Sequence, residues 1–197
     1  MIPYRAIRAD YDASTIVVYH AFNDEIASGA VNAQRFVSPF SVNRMTWIKP
    51  SFLWLMERSG WGTKSRQERI LAIRISRTGW TRALSLGVLT SYESTVHGTA
   101  TQWQQQFADS IVHIQWDPER SMRGGKLDHR SIQVGLSRHI IDEYINEWTE
   151  EIIDMTNLVA RLRQLKRDGR YTQAKRLLPI EREYPVEASL RQQIGML

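Results

Sequence analysis

Short apolar blocks separated by polar turns run the length of the chain, and their spacing predicts both strands and helices. Residues 15–22, TIVVYHAF, are β-branched and aromatic and predict a strand. Asn23 or Asp24 then caps a helix through about Gln34, with acids in its first turn, and Pro39 closes that region. Pro50 fits the first turn of a second helix reaching about Arg58. Ser51 lies in that turn and Gly60 fits the C-cap. Residues 69–76, RILAIRIS, alternate imperfectly and predict a buried strand, and Thr78 starts a short helix. Thr101 opens another helix to about Ala108. Residues 111–116, IVHIQW, predict a strand that Asp117-Pro118 ends, and residues 121–128, with Gly124-Gly125, predict a mobile loop. Residues 130–136 predict a further strand.

From Ser137 the period changes. Ile140, Ile141, Tyr144, Ile145, Trp148 and Ile152 fall on one face of a helix, with Asp142, Glu143, Glu147, Glu150, Glu151 and Asp154 on the other. Two more helices are predicted over 157–167 and 171–178, and the stretch after Pro179 reads as an irregular surface tail. The sum is about four strands and six or seven helices without regular crossovers. That pattern predicts an α+β fold, one domain with a mixed or antiparallel sheet flanked by helices. Residues 1–136 would form the sheet-containing core, 137–178 a helical C-terminal part and 179–197 the tail.

Composition narrows the chemistry. The 197 residues are 42% hydrophobic and 10% aromatic, ordinary for a chain with a core. The absence of cysteine excludes disulfides, thiolate zinc sites and a cysteine nucleophile. No apolar run approaches the roughly 18 residues of a membrane span, and the N-terminus lacks a signal-peptide apolar region, so the expected setting is the cytoplasm. The five histidines show no metal-binding spacing, and no metal is predicted. Neither a phosphate-binding glycine motif nor a nucleophile elbow is present.

Charge and aromatic content point to one region. The formal net charge is +5, yet residues 35–82 hold ten Lys/Arg against Glu57 and Glu68. Within that window, RMTWIKPSFLWLMERSGWGTK (44–64) places Trp47, Trp54 and Trp61 seven residues apart, interleaved with Arg44, Lys49, Arg58 and Lys64. Aromatics beside fixed cations suit a planar anionic ligand, so the block is either an aromatic core element or the wall of a nucleotide-type pocket. The anionic partner would be a nucleotide or a nucleic acid. A second basic cluster spans Arg161–Arg176 on a plain helix and reads as a solvated face.

Several other residues are candidates. His20 ends a strand before a capped helix; it either makes one structural hydrogen bond or reaches a cleft at the sheet edge, with Tyr19 on the opposite face. Gln133 and Gln115, each mid-strand, face either solvent or a cleft. Trp116-Asp117-Pro118-Glu119-Arg120 gathers an aromatic, two acids and an arginine at a strand end, and Asp117 either caps a turn or belongs to a site. Arg5 and Arg8 offer forks suited to phosphate, or else anchor the terminus.

Taken together, YRAIRADYD, TIVVYHAFN, RFVSPFSVNRMTWIKPSFLWLMERSGW, LAIRIS, QWDPER and RSIQVGLS resemble the uncharacterised family catalogued as domain of unknown function 4291, over nearly the whole chain to about Pro185. A shorter likeness is to ADP-ribosyltransferase-like folds. The strand ending in Tyr19-His20 is similar to their opening, where a His or Arg binds the nicotinamide ribose. RSIQVGLSRHIIDEY looks like the segment that carries their catalytic Glu, with Gln133 standing where that Glu is expected. The likeness implies a transferase with NAD as substrate or a nucleic-acid end as target. His20, Gln133 and Lys49 would be its catalytic group, and Arg5, Arg8, Arg44, Trp47, Trp54, Arg58, Lys64 and Trp116 would bind ligand. Two other readings stand beside it. One is a non-catalytic nucleic-acid (RNA-binding) module using residues 35–82. The other is a metal-dependent hydrolase or nuclease built on Asp117 and Glu119.

Overall fold

The computed structural model describes residues 2–196; Met1 and Leu197 lie outside the described residues. After a two-residue strand β1 (Arg8–Ala9), β2 runs over Thr15–Phe22 as expected. The Asn23 side chain accepts from the Ile26 N–H at 3.0 Å and starts α1 (Asp24–Ala33). A short β3 (Thr46–Ile48) leads to α2 (Phe52–Ser59). Ser51 is the N-cap of α2 rather than a first-turn residue, because its hydroxyl accepts from the Trp54 N–H at 3.2 Å. Gly60 ends that helix at φ 59°, a left-handed position suited to glycine. Then come β4 (Arg69–Ser76), α3 (Arg77–Ser85), β5 (Gly87–Leu89), α4 (Ser94–His97) and α5 (Ala100–Asp109).

Three expectations need correction. The strand of residues 111–116 does not stop at Asp117-Pro118: β6 (Val112–Arg120) continues through it and pairs with β7 (Lys126–Leu136). A register shift between Pro118 and Arg120 absorbs the proline, which cannot donate to the ladder. Of the expected loop, residues 126–128 belong to the strand and 121–125 form the turn, in which Ser121 N–H donates to Gly125 O at 2.9 Å. The long helix after Ser137 is also not one element. α6 (Ile141–Glu143) passes into a π-helical turn (Tyr144–Trp148) and then into β8 (Thr149–Asp154). β8 pairs with β4, burying Ile152, while Glu151 and Asp154 meet Arg74 and Arg69. An available strand edge therefore outweighs helical periodicity over these six residues.

The third correction is the tail. After α7 (Thr156–Arg167) and α8 (Tyr171–Lys175), β9 (Arg182–Glu183) pairs with β1, and α9 (Ala188–Gln193) follows. Tyr184, Leu190, Ile194 and Met196 are buried, so the tail is part of the core. It also holds α2: the half-buried Glu181 accepts from the Phe52 N–H at 2.7 Å. Burial is the main reason its carboxyl is pushed up to about 8. A carboxyl raised from 4.5 gives stability that is full below 4.5 and is lost as pH rises through 8. Glu181→Gln keeps an acceptor for Phe52 and should raise the melting temperature above pH 8 while leaving it unchanged near pH 4.5. The gain is roughly 2–4 °C per kcal/mol recovered, read from melts across pH.

The fold is α+β. A three-stranded antiparallel sheet has the order β2-β4-β8, and a four-stranded mixed sheet has the order β3-β7-β6-β5, with β5 parallel to β6. One apolar cluster draws on both sheets, α1, α3 and the tail. A second packs α2, α7 and α8 on the other face of the three-stranded sheet, through Val17, Tyr19, Ile70, Leu55, Met56 and Leu162. The two sheets meet where Tyr19 N–H donates to Lys49 O at 2.7 Å, and this junction positions the site.

Candidate functional site

Strand parity decides what the four-stranded sheet presents. Trp47, Gly135 and His113 lie in one cross-strand row, Gln133 and Gln115 in the next, and Ser131 and Asp117 in a third. Cross-strand partners share a face. The alternate positions, Ile48, Val134, Ile114, Ile132 and Trp116, fill the core. The Trp47–Asp117 face is covered by α2 and by residues 39–45 and 65–67, leaving a cleft of about 1090 Å³ that the end of β2 also lines.

Asp117 lies on the floor. Its Oδ1 accepts from Gln115 Nε2 at 3.0 Å and its Oδ2 from Gln133 Nε2 at 2.7 Å. Two amides thus fix one carboxylate in orientation while leaving it unpaired with any Lys or Arg within salt-bridge distance among the described residues. Lys49 is 5% exposed, and its Nζ donates to Trp47 O at 2.9 Å. Burial, and then the nearby Arg58 cation, push its ammonium down to about 7 against the opposing pull of Asp117. His20 is stacked on Phe22 at 4.1 Å, and its Nδ1 is sealed without a hydrogen-bond partner among the described residues. Burial and then Lys49 push its imidazole down to about 3, so the ring is neutral at physiological pH. Trp54, 9% exposed, lines the cleft with an indole N–H that is equally unpartnered. Buried polar atoms are seldom left without a partner, and two of them lie beside this cleft. Arg44, Arg58 and Arg66 stand exposed around the opening.

Of the residues selected from sequence, the cleft brings together His20, Lys49, Gln133, Arg44, Trp47, Trp54 and Arg58. It does not include the other four. Trp116 points the opposite way from Asp117 and gives its indole N–H to Ile194 O at 2.7 Å. Arg5 forks to Glu93 and Gly195 O and lies over the Trp116 ring at 5.8 Å, on that same far side. Arg8 donates to Glu181 O at 2.6 Å, and Lys64 donates to Arg58 O at 2.5 Å. Arg66, Asn23 and Gln67 also line the cleft and were not selected. Nothing in their local spacing marks them, since the fold of the 60–67 loop alone brings two of them in.

The basic window of residues 35–82 is less free than its composition implies. Arg69 pairs with Asp24 and Asp154, Arg74 with Asp12 and Glu151, and Arg82 with Glu143. Arg77 binds Tyr184 Oη at 3.1 Å. The cations left around the cleft are Arg44, Lys49, Arg58 and Arg66. Asp117 and Glu119 part company: Glu119 is buried away from the cleft, close enough to Glu181 to raise its pKa. Among the described residues, no three His, Asp or Glu side chains are grouped to hold a metal ion.

A lysine lowered from 10.5 to about 7 makes stability climb as pH rises from 7 to 10.5, because the unfolded chain holds the extra proton over that interval. Lys49→Met should flatten that climb and raise the melting temperature at pH 6, where the native ammonium is charged and buried.

These features define an α+β protein with a cationic, indole-lined cleft floored by an oriented carboxylate. The chain belongs to the family described as Domain of unknown function (DUF4291), which matches residues 6–184. No curated protein matches it significantly. Among the described residues, no helix is long and apolar enough to cross a membrane.

Proposed function

We propose that the cleft binds a nucleotide and that the protein is a transferase of ADP-ribosyltransferase type, with NAD as substrate. The observation that carries this reading is Asp117, a carboxylate oriented by Gln115 and Gln133 between indoles and rim arginines. The carboxylate missing at Gln133 is supplied from the neighbouring strand. Cleavage of the bond between ribose C1′ and the nicotinamide nitrogen builds positive charge on the sugar and releases neutral nicotinamide. A fixed carboxylate stabilises that charge. The acceptor's oxygen or nitrogen then bonds to C1′, and its proton passes to a base. Solvent takes that proton, because Lys49 beside the bound anion is held as the ammonium and helps to hold the pyrophosphate. Arg44 and Arg58 would hold the pyrophosphate, Trp47 or Trp54 would stack a planar ring, and the neutral His20 would bond a ribose hydroxyl.

The test is release of nicotinamide from NAD by the purified chain, followed chromatographically in the wild type and in Asp117→Asn. Release that depends on Asp117 supports the proposal; release unaffected by the substitution, or none with any acceptor supplied, refutes it. A purely non-catalytic nucleic-acid module drawn over residues 35–82 has less support, because Arg69, Arg74, Arg77 and Arg82 are spent within the fold. A hydrolase using Asp117 and Glu119 together has less still, since the two do not share the cleft.

A further inference from the structure

The cations outside the cleft are distributed differently from the composition. Residues 161–176 hold seven Lys/Arg with Asp168 as the lone acid. Two of them suffice to complement the C-terminal dipole of α7, yet the cluster continues past its end through Arg170, Lys175 and Arg176, all exposed. On α7, positions 163, 166 and 167 share one face at i, i+3 and i+4, and Arg170 follows just beyond the end of the helix.

This stripe is continuous with the cleft. Arg163 donates to Trp61 O at 3.1 Å, and Lys166 Nζ lies 4.7 Å from the Trp61 ring. Trp61 belongs to the loop whose far end, Ser65–Gln67, lines the cleft, and Lys64 of that loop is bonded to Arg58 O at the rim. Cations therefore run from the cleft mouth over the 60–67 loop and along α7 in an unbroken series. Nearby acids are engaged: Glu57 pairs with Arg120 at 3.4 Å, Glu68 accepts from Arg66 N–H, and Asp168 accepts from Gln164.

We propose that this ridge carries the backbone of a single-stranded nucleic acid whose end enters the cleft, an inference that rests on the nucleotide reading of that cleft. A continuous row of cations matches a polyanionic backbone. At its end stand indoles, which take an unpaired base face and cannot take a paired one. Both features together favour a single strand over a duplex or an acidic protein.

The test uses the whole protein, a labelled 12-nucleotide single-stranded RNA followed by anisotropy, and NAD followed by calorimetry. The variant is Arg167→Glu/Arg170→Glu/Lys175→Glu, three exposed side chains outside the cores. Wild-type RNA affinity should fall with salt. The variant should bind the RNA at least 10-fold more weakly, with a log–log salt slope shallower by about 2, on the order of 0.7 for each phosphate no longer neutralised. Its affinity for NAD should not change. Equal RNA affinity and slope in variant and wild type overturns the ridge, as does equal binding of a polyglutamate peptide of matching charge. RNA binding that is abolished in the variant, in a protein that never binds NAD, keeps the ridge and overturns the cleft reading instead.

Discussion

Asp117→Asn should leave the protein folded and able to bind NAD while lowering turnover by about 10²–10³-fold, the usual cost of removing one preorganised charge-stabilising group. Asp117 is partly exposed on the cleft floor and makes no core contact on which folding depends. Asparagine keeps its size and one acceptor oxygen, so one of the two glutamine amides remains satisfied and the other reorients. Nucleotide phosphates gain from the loss of a nearby negative charge, so Kd should hold or tighten as kcat falls. That split separates a charge acting in the transition state from a residue that merely shapes the pocket. Parallel loss of binding and turnover would make Asp117 a structural residue.

Gly79→Ala should be among the most destabilising single substitutions in the chain. Gly79 is in α3, where alanine is normally better than glycine by about 1 kcal/mol. Here, however, a Cβ would stand 2.3 Å from Cγ of Trp148 and 2.6 Å from Cδ2. Trp148 is 3% exposed and ends the π-helical turn that leads into β8, so it has no free direction in which to move. Overpacking typically costs about 1–3 kcal/mol and this overlap lies at or beyond the upper end, leaving a net loss of ~2 kcal/mol or more. The melting temperature should drop by roughly 4–8 °C. Adding Trp148→Leu should recover part of the loss, the signature of a direct contact in a double-mutant cycle. A Gly79→Ala protein as stable as wild type would show that the α3–Trp148 packing is looser than described.

How much was legible in the sequence depended on whether an element's neighbours mattered. β2, α1, α2 and β4 were readable because their signals are local: β-branched runs, Asn23 as cap, Gly60 as stop. β8 was not, because TEEIID becomes a strand only when β4 offers it an edge. The tail was misread for a similar reason, since Tyr184, Ile194 and Met196 look like isolated apolar residues until the core they enter is known.

The site divides in the same way. Lys49, Trp47, Trp54 and Arg58 were visible as a cationic aromatic block, and His20 and Gln133 as polar residues on strands that needed a face. Asp117 stands among the sequence candidates, and strand parity supplies the face it lacks there. Once Gln115 is allowed to face the cleft, residue 117 follows and Trp116 is assigned to the core. A strand that stops at Asp-Pro leaves residue 117 without a face, so Trp116 and Asp117 look equally able to line a site. Charge was the least legible feature. In the window with the greatest basic excess Arg69, Arg74 and Arg82 are held in ion pairs, whereas the cluster over residues 161–176, which reads as an ordinary solvated face, makes none among the described residues.

The central claim, that this cleft is a nucleotide site, is tested most directly by calorimetric titration of NAD at pH 8 in buffers of different ionisation enthalpy. Wild type would be compared with Arg58→Ala, an exposed rim substitution that should not disturb folding. Lys49 titrates near 7 in the free protein, so an anion bound beside it should draw a proton from the buffer. The account predicts saturable one-to-one binding, a buffer-dependent heat of proton uptake, and affinity at least ~10-fold weaker without Arg58, about 1.4 kcal/mol. Absence of binding, or binding that ignores both the buffer and Arg58, would contradict it.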